Sequence, residues 1–400
     1  MREYQADLAV DLHSDALSNK SIDIVVSGSI GAVETPRFVR ALRRLGAKVQ
    51  VFLTRGGEQF TTRTALEWAS ANKIITEFSG LSAHISQSDA CVIAPCSANM
   101  LSGINAGRTD TPSLALVQSY LGMKKTVLIL PNMHDSLLHA PAVQNNINEL
   151  RKYAIVMDAR EEEGKAKFPA PKVLADHCAH AINKAASDLN VVVAMGSTKG
   201  FIDDVRFVTN YSSGGLGTAI STEFYRHGIS TEVVCGPCQT IPQAYNKITH
   251  IETNEELFDA TQNALAQPAS GLIFAPSVLD FVPKNKMSGK LRSKDHDRLS
   301  VEFTKTKKLL ALLNPSVPFK VGFKLEPSIT EESAKAIAEN YCQRYNLSHI
   351  VINGLDRVSA SKHHAFIYSS TNSAIKLVGE QGSKVAIARA LLSEIISTNI

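Results

Sequence analysis

The chain carries little excess charge of either sign: 42 lysines and arginines against 38 acidic residues leave a formal net charge of +4 over 400 residues. These charges are scattered, with no basic run interleaved with aromatics, which argues for small anionic ligands and no nucleic-acid partner. No apolar run reaches membrane length, and the start MREYQADLAVDLHSDALSNK has no apolar stretch of a secretory leader. The expectation is a cytoplasmic protein with no membrane partner. Six cysteines are too few to read as a disulfide framework in a chain this long. Cys235 and Cys238 have C-x-x-C spacing, but they lie at the end of an expected strand and no second pair completes a zinc site. Their expected role is structural. The G-x-G-x-x-G dinucleotide fingerprint and the Walker pattern are also missing.

What is present is an ordinary globular balance, 44% hydrophobic and 20% charged, over a length that suits two or three domains. From Ile22 onward, short apolar runs alternate with helical patterns. Strands are expected at IDIVVSGS, AKVQVFLT, Ala90 to Ala94, Lys125 to Leu130 and Ala154 to Met157, with helices from Thr35 to Leu45 and from Pro171 to Ala186. A second series begins at Val191 with VVVAM, STEVVC, GLIFA, FKVGFKL and HIVING. Helices between short apolar runs imply parallel sheets covered on both faces. The expected class is α/β, with two open, Rossmann-like parallel-sheet domains. The boundaries read as a loosely held tail over 1–20, a first domain over 21–182, a linker over 183–190 and a second domain over 191–400. A charge-rich insert from Pro283 to Arg298 is too polar to bury and reads as a mobile flap.

The stretch from Val191 to Gly217 organises the second half. It runs from a buried strand through a polar excursion into Asn210-Tyr211-Ser212-Ser213-Gly214-Gly215, small residues placed before a helix from about Leu216 to His227. Free N–H groups and the positive end of a helix dipole suit an anionic phosphate there. The segment from Asp203 to Gly214, DDVRFVTNYSSG, resembles the D-x-V-R-x-[IL]-[ST]-N-x-S-S-G segment of phosphopantothenate–cysteine ligases. In bacteria and archaea that enzyme is commonly fused behind a flavin-dependent phosphopantothenoylcysteine decarboxylase, and the resemblance covers nearly the whole chain after residue 20.

The resemblance implies a reaction in two parts. The carboxylate of 4′-phosphopantothenate attacks the α-phosphate of CTP to give an acyl-cytidylate and pyrophosphate, and the amine of cysteine displaces CMP. The product is then decarboxylated with FMN to 4′-phosphopantetheine, a step of coenzyme A biosynthesis. Triphosphate chemistry calls for Mg²⁺, lysines and amide donors. By the resemblance Asn210 holds the acyl-cytidylate carbonyl, although an asparagine before a helix is also a good N-cap. Ser212, Ser213, Gly214 and Gly215 offer donors to phosphate. The segment from Ala275 to Pro283 (APSVLDFVP) resembles A-A-A-V-x-D-F-x-P, which makes Ala275 a nucleotide contact and Asp280 a metal or ribose ligand. Gly289-Lys290-Leu291-Arg292-Ser293 resembles the G-K-[IL]-[KR]-S flap, with Lys290 acting on the intermediate. Lys308 and Phe323 lie in segments similar to T-P-K-I-L and G-F-K-L-E-T. Pro327 replaces the usual Thr, Gly354 the usual Asp, and Tyr341, Arg344 and Tyr345 stand where lysines are common.

In the first half Ser27-Gly28-Ser29-Ile30-Gly31-Ala32 follows a strand directly, so Gly28, Ser29 and Ile30 can place backbone near a phosphate. Thr54 to Phe60 (TRGGEQF) and Ala94 to Asn99 (APCSAN) resemble segments that embrace FMN in the flavin-dependent cysteine decarboxylases, a flavodoxin-like fold. Thr54, Phe60, Ser97 and Ala98 are the implied contacts. His84 and His134 are the candidate catalytic residues. His84 precedes its strand by fewer residues than in the family, and His134 replaces an Asn. The flap EEEGKAKFP, from Glu161 to Pro169, lacks the reactive cysteine of many members. Relatives of both halves complete their sites across subunits, which implies a homo-oligomer. Two other classes stay open: a ligase with a flavin-binding scaffold that has lost activity, and an NAD(P)-linked oxidoreductase.

Overall fold

The computed structural model describes residues 8–80, 82, 84–158, 160–162, 165–184, 187–292, 298–313, 316–358, 363–379 and 383–399. Glu163 and Gly164 of the first flap, and Ser293 of the second, lie outside the described residues. The chain divides into two compact units, Met1–Ala185 and Ala186–Ile400.

The first unit runs β1 (Ser21–Val26), α1 (Thr35–Arg44), β2 (Lys48–Leu53), α2 (Arg63–Ser70), β3 (Ala90–Cys96), α3 (Ala98–Asn105), α4 (Pro112–Gly122), β4 (Thr126–Pro131), α5 (Asp135–Leu138), α6 (Pro141–Leu150) and β5 (Ile155–Val156). A short hairpin, β6 (Arg160–Glu162) and β7 (Lys165–Lys167), precedes α7 (Pro171–Asn183). Five parallel strands lie in the order β2-β1-β3-β4-β5. Every residue of β3 is buried, because helices cover both faces of the sheet. Phe38, Leu42, Leu66, Leu174 and Cys178 fill one layer; Leu101, Val117, Tyr120 and Ile147 fill the other. Each fully buried side chain of this kind contributes about 1.5–3 kcal/mol.

One boundary needs correction. The end of the expected tail packs as part of the unit: Leu17 is fully buried, its N–H donates to Leu45 O, and the His13 and Ser14 N–H groups donate to Arg44 O. These donors cover carbonyls at the C-terminus of α1, which have no partner inside their own helix.

The second unit runs β8 (Asn190–Met195), β9 (Lys199–Phe201), β10 (Phe207–Thr209), α8 (Gly215–Arg226), β11 (Ser230–Cys235), β12 (Lys247–His250), α9 (Asn254–Leu265), β13 (Gly271–Phe274), β14 (Phe281–Pro283), β15 (Phe303–Lys305), α10 (Leu309–Leu312), β16 (Phe319–Glu326), α11 (Glu331–Tyr345), β17 (His349–Val358), β18 (His363–Ser369), β19 (Ala374–Val378) and α12 (Lys384–Asn399). Its main sheet has the order β12-β11-β8-β13-β16-β17-β18-β19. The first six are parallel, as expected, and β18 and β19 add an antiparallel edge. Ile220 and Phe224 of α8 pack with Ile387, Leu391 and Ile395 of α12 over one face. Among the described residues no helix is long and apolar enough to cross a membrane.

Candidate functional site

In the first unit the strand order reverses at β1 and β3, and ligands of open α/β sheets bind at the carboxyl ends of strands beside such a reversal. A cleft of about 930 Å³ opens there, lined by Gly28, Ser29, Ile30, Thr54, Phe60, Ser97, Ala98 and His134 among others. Its turns are tied to each other by polar side chains. Ser27 Oγ donates to Pro95 O at 2.9 Å and accepts from Ser97 N–H at 2.7 Å. Thr54 Oγ1 donates to Val26 O at 3.1 Å and accepts from Gly57 N–H at 3.1 Å. The turns after β1 and β2 touch: a Cβ added to Gly28 would lie 3.0 Å from the carbonyl carbon of Gly56. Ser97 caps α3, its Oγ accepting from Met100 N–H at 3.3 Å.

His134 lines this cleft and caps α5, with Nδ1 accepting from Ser136 N–H at 3.2 Å. A ring nitrogen that accepts carries no proton, so a neutral His134 keeps its N–H at Nε2. His84 is not brought to the cleft. It sits edge-on against Phe78, 5.5 Å between ring centroids. Asn132 was not singled out in the sequence. Its buried Oδ1 accepts from Ser29 Oγ at 2.6 Å and from Gly31 N–H at 3.2 Å, fixing the turn after β1 against the end of β4. A polar residue directly after the all-apolar end of β4 was the available signal. Arg55 and Arg108 add cations to the lining. A cleft of this size, with close-set backbone turns and two arginines, fits a phosphorylated flavin.

In the second unit β8 lies between β11 and β13, so the motifs after β8 and β13 flank the corresponding reversal. Gly196 ends β8 with φ +85°, a left-handed conformation, against the backbone of Gly236. Asn210 Nδ2 donates to Val278 O at 3.0 Å, joining the two motifs. Thr198 Oγ1 accepts from Leu279 N–H at 3.1 Å, and Thr306 Oγ1 donates to Leu279 O at 2.7 Å. Beside them Lys308 Nζ donates to Asp280 Oδ1 at 2.6 Å, both side chains half exposed. Ala275 N–H donates to Ala194 O at 2.9 Å, and Phe323 follows Gly322 on the adjoining β16.

Ser212 and Ser213 face inward on their own turn, their Oγ atoms accepting from Gly214 and Gly215 N–H at 3.3 and 3.4 Å. Gly214 has φ +71°, and a Cβ on Gly215 would lie 2.5 Å from Lys384 Nζ. Lys384, at the start of α12, therefore puts a cation beside the start of α8, where nothing in the local sequence announces it.

The expected mobile flap is held down at its tip. Asp203 Oδ2 accepts from Leu291 N–H at 3.0 Å, and Asp204 Oδ2 accepts from Gly289 N–H at 2.8 Å. Lys286 Nζ stands 2.7 Å from Asp204, and Arg206 Nη1 donates to Leu291 O at 3.0 Å. Lys290 is thus fixed on both sides while its own side chain stays exposed. Burial opposes the Asp203 charge, but N–H donors from Arg206, Val205 and Leu291 and the Arg206 guanidinium together hold its carboxyl below the ordinary range. The acidic start of the motif is therefore an anchor for the flap.

Residues 186–398 match the family described as DNA/pantothenate metabolism flavoprotein C-terminal domain, and residues 11–183 match the family described as Flavoprotein. The coenzyme A biosynthesis bifunctional protein CoaBC of Thermococcus kodakarensis is 29% identical over 366 residues, covering 88% of this chain and 90% of that protein. Its counterpart in Methanocaldococcus jannaschii is 28% identical over 394 residues, covering 96% of this chain and 94% of that protein. The Escherichia coli K12 protein of the same name is 26% identical over 412 residues, covering 96% and 98%.

Proposed function

The chain belongs to the DNA/pantothenate metabolism flavoprotein family through its C-terminal domain, and from that premise we propose that it is a two-activity enzyme of coenzyme A biosynthesis. The second unit ligates cysteine to 4′-phosphopantothenate with CTP, and the first decarboxylates the product. The observation that carries the ligase reading is the pinned flap, where Asp203 and Asp204 hold Leu291 and Gly289 on either side of Lys290.

Activating a carboxylate on the α-phosphate of CTP gathers negative charge that the protein must meet with fixed donors. Lys290 and Lys384 supply cations from the flap and from α12. Asn210 has one amide N–H committed to Val278 O and keeps the other for the acyl-cytidylate carbonyl, which leaves that carbon open to the cysteine amine. Gly214 and Gly215 allow phosphate to approach the start of α8. Mg²⁺ takes one or two carboxylates together with substrate phosphates and water, and Asp280 fits that role because Lys308 occupies only its Oδ1.

In the first unit FMN, when bound, supplies the two-electron chemistry that labilises the cysteinyl carboxylate. The turns at Gly28, Ser29 and Ile30, Thr54 to Phe60, and Ser97 and Ala98 hold it, and His134 offers its Nε2 N–H to the carboxylate that leaves. The assembly is a homo-oligomer in this reading, since exposed Ile30 (68%) and Leu137 (53%) line the cleft mouth where a second copy would cover them. No observation favours the nicotinamide-linked alternative.

The test is an assay of purified protein with phosphopantothenate, cysteine, CTP and Mg²⁺, followed by mass analysis and a visible spectrum. Expected are pyrophosphate, CMP, CO₂, 4′-phosphopantetheine and a flavin absorbance. CMP without CO₂ would leave the ligase and reduce the first unit to a scaffold. No amide product would remove the proposal.

A further inference from the structure

We propose that Cys235 and Cys238 form a reversible dithiol–disulfide site that couples oxidation to the phosphate loop of the second unit. This rests on the ligase reading of that unit, and it replaces the structural role expected from the pair's place at a strand end. The two Sγ atoms lie 3.8 Å apart across the turn after β11. A disulfide requires about 2.05 Å, so closing the bond takes a shift of roughly 2 Å. Cys235 is the last residue of β11 and paired with its neighbours, whereas Cys238 lies outside the sheet, so the shift falls on Cys238. Among the described cysteines Cys238 alone is not buried, which gives an oxidant access to one member of the pair.

What makes the site consequential is its neighbour. A Cβ on Gly214 would lie 2.7 Å from Cys238 Sγ, so the thiol packs directly under the left-handed glycine of the loop. The Cys238 thiol donates to Thr240 O at 3.2 Å. Thr240 in turn holds the loop: its N–H and Oγ1 donate to Ser213 O at 3.0 and 2.7 Å, and its carbonyl accepts from Thr218 Oγ1 at 2.9 Å. Oxidation removes the S–H that donates to Thr240 and displaces the Cys238 sulfur that packs against Gly214. Both changes loosen Ser212 to Gly215.

The chemistry balances with a low-molecular-weight disulfide as oxidant. Cys238 Sγ attacks one of its sulfurs, giving a mixed disulfide and one free thiol. Cys235 Sγ then displaces the second thiol, so the protein loses two electrons and two protons and the reagent gains them. Burial, together with Cys238 beside it, raises the Cys235 thiol above its ordinary range. Cys238 is therefore the sulfur that reacts first.

The experiment treats the full chain with oxidised glutathione and follows three readouts: peptide mass across 235–238, hydrogen exchange over 210–218, and CTP-dependent pyrophosphate release. Expected are a Cys235–Cys238 disulfide, faster exchange in that peptide, and a rate lowered about tenfold or more, all reversed by dithiothreitol. Cys238→Ser keeps a hydroxyl donor for Thr240, cannot form the bond, and is expected to show no response to the oxidant. Absence of the disulfide overturns the proposal, and so does a disulfide that leaves exchange over 210–218 unchanged. If reduced protein releases no pyrophosphate, the ligase reading falls, while the mass and exchange readouts still decide the dithiol site.

Discussion

Asp203 commits both carboxylate oxygens. Oδ1 accepts from the N–H groups of Val205 and Arg206, and Oδ2 accepts from Leu291 N–H and the Arg206 guanidinium. In Asp203→Asn an amide N–H must face one of these donor sets, and a buried donor without a partner costs about 1–3 kcal/mol. The expected outcome is pyrophosphate release lowered about tenfold, with the flavin spectrum unchanged; an unaltered rate would remove the anchor from the mechanism. His349 and His363 act on stability. Burial lowers both to about 4, and for His363 the nearby Lys384 adds to the effect. An unfolded chain takes up these protons near 6.5, so between roughly 6.5 and 4 the unfolded state binds more protons than the folded one. Stability is therefore complete above 6.5 and is lost as pH falls toward 4, by about 3 kcal/mol for each residue. Urea unfolding at pH 7 and pH 5 checks this, and His349→Gln is expected to remove about half of the difference, His363 keeping the rest.

At the scale of elements, the strand–turn–helix units were legible because the strands are buried on both faces and read as unbroken apolar runs. Those after β1 and β8 also carry the small residues that their turns need. The Gly28 turn gives the sharpest test: Gly28→Ala brings a methyl group to 3.0 Å from Gly56 C and pushes apart the two turns that line the cleft. Flavin-free protein carrying this change is expected to bind FMN about tenfold or more weakly, a difference of ~1.4 kcal/mol in a fluorescence titration. The hairpins β9–β10 and β14–β15 were not legible. Each strand has only three residues, and Phe207, Phe281 and Phe303 are exposed by 43, 56 and 44%, so their apolar residues follow no burial period. The contacts of the flap were not legible for a related reason: Gly289 and Leu291 are tied to Asp204 and Asp203 through backbone N–H groups, and hydropathy does not register such bonds. Lys384 beside Gly215, and Asn132 beside Ser29, join positions remote in sequence, and only the tertiary fold brings them together.

At the scale of the molecule, the hydrophobic clusters among the described residues divide along the same line as the two units: two lie within the first and four within the second. Each unit therefore buries its own apolar surface, and a chain with two such cores is not bound to unfold in one all-or-none step. Calorimetry of flavin-free protein is expected to show two transitions. A ligand stabilises only the state it binds, by about 2.7 kcal/mol at a hundred times its Kd. FMN is expected to raise one midpoint by roughly 5–10 °C and leave the other in place, while CTP with Mg²⁺ does the reverse. Lys290→Gln, exposed on the flap, should keep both midpoints in the unliganded protein and shrink only the shift caused by CTP. A single transition that moves equally with either ligand would show that the two sites share one cooperative core, contrary to the separate clusters from which the assignment of one activity to each unit is argued.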